Sequence, residues 1–363
     1  MYKLFDELLE GKEFDVTESE LERVIGAGQG IISHQRRTGN DLSFVNVLRS
    51  VMYICPGSEQ MAMKKFIESF TSENNIRVSV EYALSNRDFD LCDQIMERLN
   101  EIGKVKNVDW VKTYEIVKAF QKRELSLKEL DSLVSNHKPK NIETRTLTNI
   151  LKCYVDFYKQ NWVDIQEAIP QIREEINAIK NDYIQTTFTI RLNELVSHVE
   201  LHVNNNVEGA RELVKQTNEA EFSFKFNLHT HYILGKSYML EDYETSLKHL
   251  EKYVDELKKC GDHGTADNVI KMDIAFLKNH WNKENLEITS FSSIGFENEL
   301  SPYETYYKGK ILNNLDMIME SMLKFIKKGD FYLAQIPKKI IEHLPFVEQV
   351  YESLRRKYDE IEI

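Results

Sequence analysis

Apolar residues recur at intervals of three and four along most of the chain, the period of helices that bury one face. The stretch Thr17-Glu18-Ser19-Glu20-Leu21-Glu22-Arg23-Val24-Ile25 shows this on a small scale. Thr17 is a capping residue with Glu20 three positions on as its capping-box partner, and Leu21, Val24 and Ile25 share one face. Gly26 then supplies the left-handed residue on which a helix stops. A second helix is expected to start at Gly28 or Gln29. It would bury Ile31 and Ile32, turn Gln29, Ser33, His34, Arg36 and Arg37 to other faces, and end at Gly39-Asn40. Asp41 is the expected cap of a third, with Phe44, Val47 and Leu48 as its buried stripe. A short helix, a tight glycine turn and a basic helix form the helix-turn-helix pattern.

From about Ser58 onward helix follows helix, and one junction recurs. It is a polar residue followed by an aromatic at Asp88-Phe89, Asn161-Trp162, Asp242-Tyr243 and Asp330-Phe331, with a degenerate member at Asn206-Val207. The first three are roughly two periods apart on the scale of a tetratricopeptide repeat of about 34 residues. Paired helices of this kind cannot bury their faces alone and stack on their neighbours. The expectation is an all-α protein: a helix-turn-helix domain over 1–57, a right-handed superhelix of tetratricopeptide-like repeats over 58–346, and a C-terminal capping or dimerisation helix over 347–363.

Composition agrees with an all-helical reading. Of 363 residues, 42% are hydrophobic and 29% charged, while Gly (14) and Pro (6) are sparse, which is helical usage and not that of short strands and tight turns. No stretch approaches the roughly 20 apolar residues of a membrane span, and the first residues lack the order of a signal peptide, so a cytoplasmic protein is expected. Cys55, Cys92, Cys153 and Cys260 lie far apart with no C-x-x-C pair, which points to buried thiols. The formal net charge of −12 excludes non-specific coating of nucleic acid but leaves room for a local basic site.

Candidate chemistry narrows quickly. Gly26-Ala27-Gly28-Gln29-Gly30 lacks the G-x-x-x-x-G-K-[ST] frame of a phosphate loop and follows a helix where a dinucleotide fingerprint follows a strand. As a recognition helix the same segment has a mechanism: Arg36 and Arg37 reach phosphates or guanine edges, and Gln29, Ser33 and His34 reach bases or sugar-phosphate. His198 and His202 share a helix face, with His229 and His231 further on, but Glu200 does not occupy the position of a zincin base. The acidic runs at Glu297 to Glu299 and Asp359 to Glu362 read as solvated faces, and no nucleophile triad has a local context. No metal, cofactor or enzymatic activity is expected.

These features together resemble the AimR family, the arbitrium peptide receptors of temperate Bacillus phages. The matching segments are Ile76 to Ala83, Ile184 to Val203, Leu234-Gly235-Lys236-Ser237, Asp330 to Pro337 and, most specifically, Phe276-Leu277-Lys278-Asn279-His280-Trp281-Asn282-Lys283-Glu284-Asn285. The resemblance implies a homodimeric transcription factor that binds double-stranded operator DNA through its head. It would sense a short secreted peptide in its repeats and set the lysis-lysogeny decision, the bound peptide switching it off.

Carried over residue by residue, the resemblance places a ligand-binding arginine at Arg77, an aromatic at Phe276 and an acid at Asp330. Family asparagines are replaced by His198, His202 and Lys236, and an arginine by Lys225. Arg77, Lys225 and Lys236 would clamp a peptide carboxylate at roughly 1.5–3 kcal/mol per charge-assisted bond. Family peptides carry an arginine near the C-terminus, for which Asp330 and Glu299 are the implied partners, with Tyr332 and Met239 against its apolar atoms. Val347, Val350, Tyr351 and Leu354 form a stripe on the last helix that either pairs with its twin in a dimer or caps the last repeat. Two other functions fit the same architecture: a host-type peptide-sensing regulator, and a repeat scaffold for a partner protein that binds no DNA.

Overall fold

The computed structural model describes residues 2–10, 16–218, 224–259, 265–283 and 300–359, and these are helical with no strand among them. They divide into two compact units, Met1–Lys152 with Ile172–Thr189, and Cys153–Gln171 with Ile190–Ile363. The first unit holds α1 (Tyr2–Glu10), α2 (Glu18–Val24), α3 (Ile31–Thr38), α4 (Phe44–Ile54), α5 (Glu59–Ser69), α6 (Glu73–Ser85), α7 (Phe89–Ile102), α8 (Val105–Gln121) and α9 (Leu127–Asn136). Residues of α10 (Ile142–Lys159), α11 (Trp162–Asn177) and α12 (Asp182–His198) belong to both. The second unit continues with α13 (Val207–Asn218), α14 (Phe224–Ser237), α15 (Tyr243–Lys259), α16 (Thr265–His280), α17 (Pro302–Ile311), α18 (Leu315–Lys327), α19 (Phe331–Ile341) and α20 (Val347–Asp359). No helix of the described residues is long and apolar enough to cross a membrane. Cys55, Cys92 and Cys153 are buried, while Cys260 lies outside the described residues.

At the N-terminus Thr17 caps α2 by accepting from the Glu20 amide at 3.2 Å, and Gly26 adopts φ 65° just past the helix end. The second helix starts later than the glycines suggest, at Ile31, with Gly30 left-handed before it and Gly39 left-handed after it. Asp41 does not cap α4. Ser43 does, accepting from the Asn46 amide, and the Asp41 carboxylate instead takes the Thr71 and Ser72 amides ahead of α6. With the Thr71 hydroxyl, these amides offer the carboxylate three donors from a segment thirty residues away, which local sequence cannot reveal.

The recurring polar-aromatic pairs are all helix starts: Phe89, Trp162, Val207, Tyr243 and Phe331 each open a helix. At most of them the preceding helix ends on a left-handed residue, Arg87, Gln160, Asn205 or Gly329. The amide of the next residue then reaches back to the last turn, as from Asp88 to the Ala83 carbonyl or from Asp330 to the Phe325 carbonyl. That same residue caps the next helix through its side chain, as Asp88 does for Leu91 and Asp330 for Leu333. One Asx residue thus closes one helix and opens the next, so the connection needs almost no loop. Asn313-Asn314 repeats the device ahead of Leu315 without an aromatic, and it escapes the pattern read from sequence for that reason.

In the second unit, consecutive helices pack side by side from α13 to α16 and from α17 to α19. Glycines set two of the closest approaches. A Cβ on Gly235 would lie 2.5 Å from Leu250 Cδ2, and one on Gly309 would lie 2.7 Å from Ile318 Cδ1 and 3.0 Å from the Ile318 nitrogen. The core between these helices is built from Leu250, Phe276, Tyr306, Met322, Phe325 and Tyr332, each no more than 2% exposed.

Candidate functional site

The head region is organised by a buried acid. Glu22 on α2 is 4% exposed and accepts from the Gly30 amide at 2.8 Å and the Ile32 amide at 3.0 Å. Its carboxylate occupies the N-terminal end of α3, so the glycine turn's donors are already satisfied by an anion of the chain itself. A phosphate there would meet that charge, which is the physical reason the segment is a turn between helices.

On α3, Ile32 is buried, Ile31 is half-buried, and Ser33, His34, Arg36 and Arg37 are exposed, while Gln29 is exposed in the turn ahead of the helix. They are not equally free. Arg36 is held by Asp6 at 2.8 Å and Glu18 at 2.7 Å, and the Ser33 hydroxyl donates to Glu18 at 2.8 Å. Arg37 lies 3.5 Å from His34 Nδ1 and pairs with no carboxylate among the described residues. Exposed pairs such as those of Arg36 contribute little to stability, about 0–1 kcal/mol, and their main effect is to fix where the guanidinium points.

The second unit contains a polar cluster at the end of α12. There the helix widens into a π-helical turn over Val199–Val203, a local distortion that often accompanies functional residues. The turn brings the His198 and His202 rings to 5.8 Å with only 19° between their planes. His198 also lies 5.1 Å from the His229 ring, 5.7 Å from Tyr232 and 5.4 Å from Phe157. His202 Nδ1 is 3.1 Å from Asp330 Oδ1, His229 Nε2 is 3.0 Å from the Ser197 hydroxyl, and His229 Nδ1 is 3.7 Å from Glu194.

Further along α14, Lys236 is 1% exposed and donates to Asp273 on α16 at 2.7 Å. The Tyr303 hydroxyl donates to the same Asp273 oxygen at 2.9 Å, and Lys236 Nζ lies 3.2 Å from that hydroxyl. Tyr332 donates to the Lys236 and Ser237 carbonyls, both at 3.0 Å.

Burial governs the charge states here. Loss of solvation holds the His198 ring well below the usual imidazole range, and repulsion from His229, His202 and Lys236 adds to it, so it is neutral near pH 7. Burial raises the Asp330 carboxyl, but His202, Lys236 and the Leu333 amide outweigh it, and the net shift is downward. The cluster is an aromatic-walled patch of imidazole flanked by a carboxylate.

Residues 59–297 match the family description "AimR transcriptional regulator-like". The chain belongs to the AimR family. The AimR transcriptional regulator of Bacillus phage SPbeta is 23% identical over 89% of this chain and 90% of its own length. That of Bacillus phage phi3T is 23% identical over 82% of this chain and 85% of its own. The solved structure of selenomethionine phAimR is similar to this fold at a TM-score of 0.71 and 18% identity, over 98% of this chain and 99% of that one. The structure of phAimR with its ligand matches at 0.68 and 19%, over 84% of this chain and 98% of that one. AimR proteins are transcription regulators and not enzymes.

In this AimR homologue the residues singled out from the sequence fall into distinct places. His198, His202, Lys236, Asp330 and Tyr332 lie in the second unit within or beside the histidine cluster. Lys236 does not stand as a free cation for a carboxylate, because Asp273 already neutralises it. Met239 and Phe276 are wholly buried in the core, and Phe276 packs among Tyr303, Tyr306 and Phe325 rather than facing an opening. Arg77 belongs to the first unit, where it is 9% exposed and donates to Asn107 at 3.0 Å, with Glu73 at 3.8 Å. The Lys225 side chain and Glu299 lie outside the described residues.

On α20, Val347 and Tyr351 are buried within their own chain, where Tyr351 donates to the Phe331 carbonyl at 3.1 Å, while Val350 and Leu354 are half-buried. Much of that stripe is therefore spent on covering α19. Sequence reasoning missed Tyr232, Asp273 and Tyr303. Tyr232 shares the α14 face of His229 and Lys236 at helical spacing, a signal that was readable. Asp273 and Tyr303 join only by tertiary packing.

Proposed function

We propose that this AimR homologue is a homodimeric, DNA-binding transcription regulator. A short communication peptide, bound in its second unit, switches it off and so controls the lysis-lysogeny decision of a phage. In this reading residues 1–57 form a helix-turn-helix head and α3 enters the major groove of an operator, with Gln29, Ser33, His34 and Arg37 at base edges and phosphates. Arg36, oriented by Asp6 and Glu18, gives a positioned contact. Residues 58–346 form a right-handed superhelix of tetratricopeptide-like repeats, and residues 347–363 cap it and meet a second copy through Val350 and Leu354, with Val347 and Tyr351 as their support.

The observation that carries the ligand reading is the half-buried imidazole cluster at the π-helical turn, with Asp330 directly beside His202 at 3.1 Å. A peptide guanidinium would take the place of His202 next to that carboxylate, while His198, Tyr232 and Phe157 offer flat faces to its apolar atoms. Lys225 and Glu299 complete the proposed peptide contacts.

The test uses DNA fragments selected by the full-length protein, with and without the peptide encoded beside its gene. The logarithm of affinity should fall linearly with the logarithm of salt, and Arg37→Ala should weaken binding and reduce that slope by about 1. Asp330→Asn should leave DNA binding intact and abolish the peptide response. A wild-type protein that selects no DNA site but captures a stable protein partner would replace this reading with that of a repeat scaffold.

A further inference from the structure

A second pair of histidines lies outside that cluster. His231 on α14 and His249 on α15 sit equally far from the turn that joins the two helices, and the antiparallel register brings them face to face. Gly235 permits this, since its missing Cβ lets Leu250 and its backbone come within van der Waals range of α14. The two Nδ1 atoms are 3.0 Å apart, the ring centroids 5.2 Å apart, and the ring planes 37° from each other. Both residues are half-exposed, so the pair opens to solvent on one side.

We propose that His231 and His249 form a two-nitrogen site for a divalent transition metal ion of the imidazole-preferring kind, Zn²⁺, Ni²⁺ or Cu²⁺, which staples α14 to α15. Two metal–nitrogen bonds of about 2.0–2.1 Å span roughly 2.8–3.4 Å as the angle between them opens from square-planar to tetrahedral. The observed separation of 3.0 Å lies within that span. Without an ion, one ring must present Nδ1–H and the other a bare Nδ1, and the pair shares a single proton. An ion replaces that proton when the donor ring shifts it to Nε2, which conserves protons overall.

The surroundings set the character of the site. Burial holds both rings below the usual imidazole range, His249 down to about 4, with Lys252 and Lys248 contributing, so both are unprotonated and available as ligands at neutral pH. Those lysines also oppose a dication, and Glu256 near His231 partly offsets them. No third His, Cys, Asp or Glu joins the pair among the described residues. The ion would keep open positions for water, as in an exchangeable site and unlike a closed structural one.

The experiment is calorimetric titration of the tag-free full-length protein with Zn²⁺ alone, alongside thermal unfolding with and without the ion. The expected result is one site whose affinity drops at least tenfold in His231→Ala and in His249→Ala, and not in His343→Ala, an exposed histidine elsewhere. The zinc-induced rise in Tm should vanish in the same two variants. Circular dichroism confirms that they remain folded, and His249→Asn serves if His249→Ala does not. The proposal is overturned if the wild type takes up no zinc, or if both variants bind it as tightly as the wild type does.

Discussion

Lys236 and Asp273 form an ion pair with each partner only 1% exposed, and the pair gives the sharpest quantitative prediction. Lys236→Met keeps much of the side-chain volume but leaves the Asp273 carboxylate buried with the Tyr303 hydroxyl at 2.9 Å as its one remaining donor among the described residues. Breaking a buried pair in this way costs about 3–5 kcal/mol, because the orphaned charge keeps its desolvation penalty and loses its compensation. Replacing both partners removes the penalty together with the attraction. The double variant Lys236→Met/Asp273→Asn should therefore stand within about 2 kcal/mol of wild type, since an amide still accepts from Tyr303. Urea unfolding followed by the fluorescence of Trp281, whose indole donates to the Met239 carbonyl in the same unit, reads all the corners of the cycle. A coupling energy of at least about 2 kcal/mol is expected. If the single substitutions were each nearly neutral and additive to within about 0.5 kcal/mol, Asp273 could not be an ionised buried acid, and the electrostatic account of this site would fail.

Three further outcomes follow from other parts of the molecule. His198 has a folded pKa below its unfolded value, so the unfolded state binds more protons as pH falls below about 6.5. Stability is then full above that pH and declines below it, by up to about 1.4 kcal/mol per unit for this residue, and His198→Asn should flatten the dependence of the urea midpoint between pH 7 and 5. Gly309→Ala places a Cβ against Ile318 Cδ1 and the Ile318 backbone, and should lower stability by about 1–3 kcal/mol despite alanine's helix propensity. Adding Ile318→Val, which removes Cδ1, should restore part of the lost Tm. Glu22→Ala strips the Gly30 and Ile32 amides of their acceptor and should cost about 2 kcal/mol, seen as faster amide exchange at the start of α3 with the rest of the chain unchanged.

The sequence alone was enough for the helical class. Its three- and four-residue apolar spacing and its scarcity of Gly and Pro are local properties, and the Asx-aromatic junctions act through bonds between near neighbours. Thr17, Asp88 and Asp330 cap the helices they precede because a side chain one residue outside a helix reaches only its first turn. The histidines at 198 and 202 were legible as a facing pair for the same reason.

Only the tertiary structure decided what those side chains meet. Asp41 resembles a cap for α4 but serves the start of α6, and Glu22 resembles a solvated acid but closes the glycine turn. Lys236 resembles a free cation, yet Asp273 and Tyr303 arrive from helices distant in sequence to bind it. His231 faces His249 only because Gly235 lets two helices approach closely. Periodicity fixes which face of a helix is apolar, whereas the partner of a buried charge depends on which other helix is packed there. That choice is made by the whole core, and no local stretch of the chain records it.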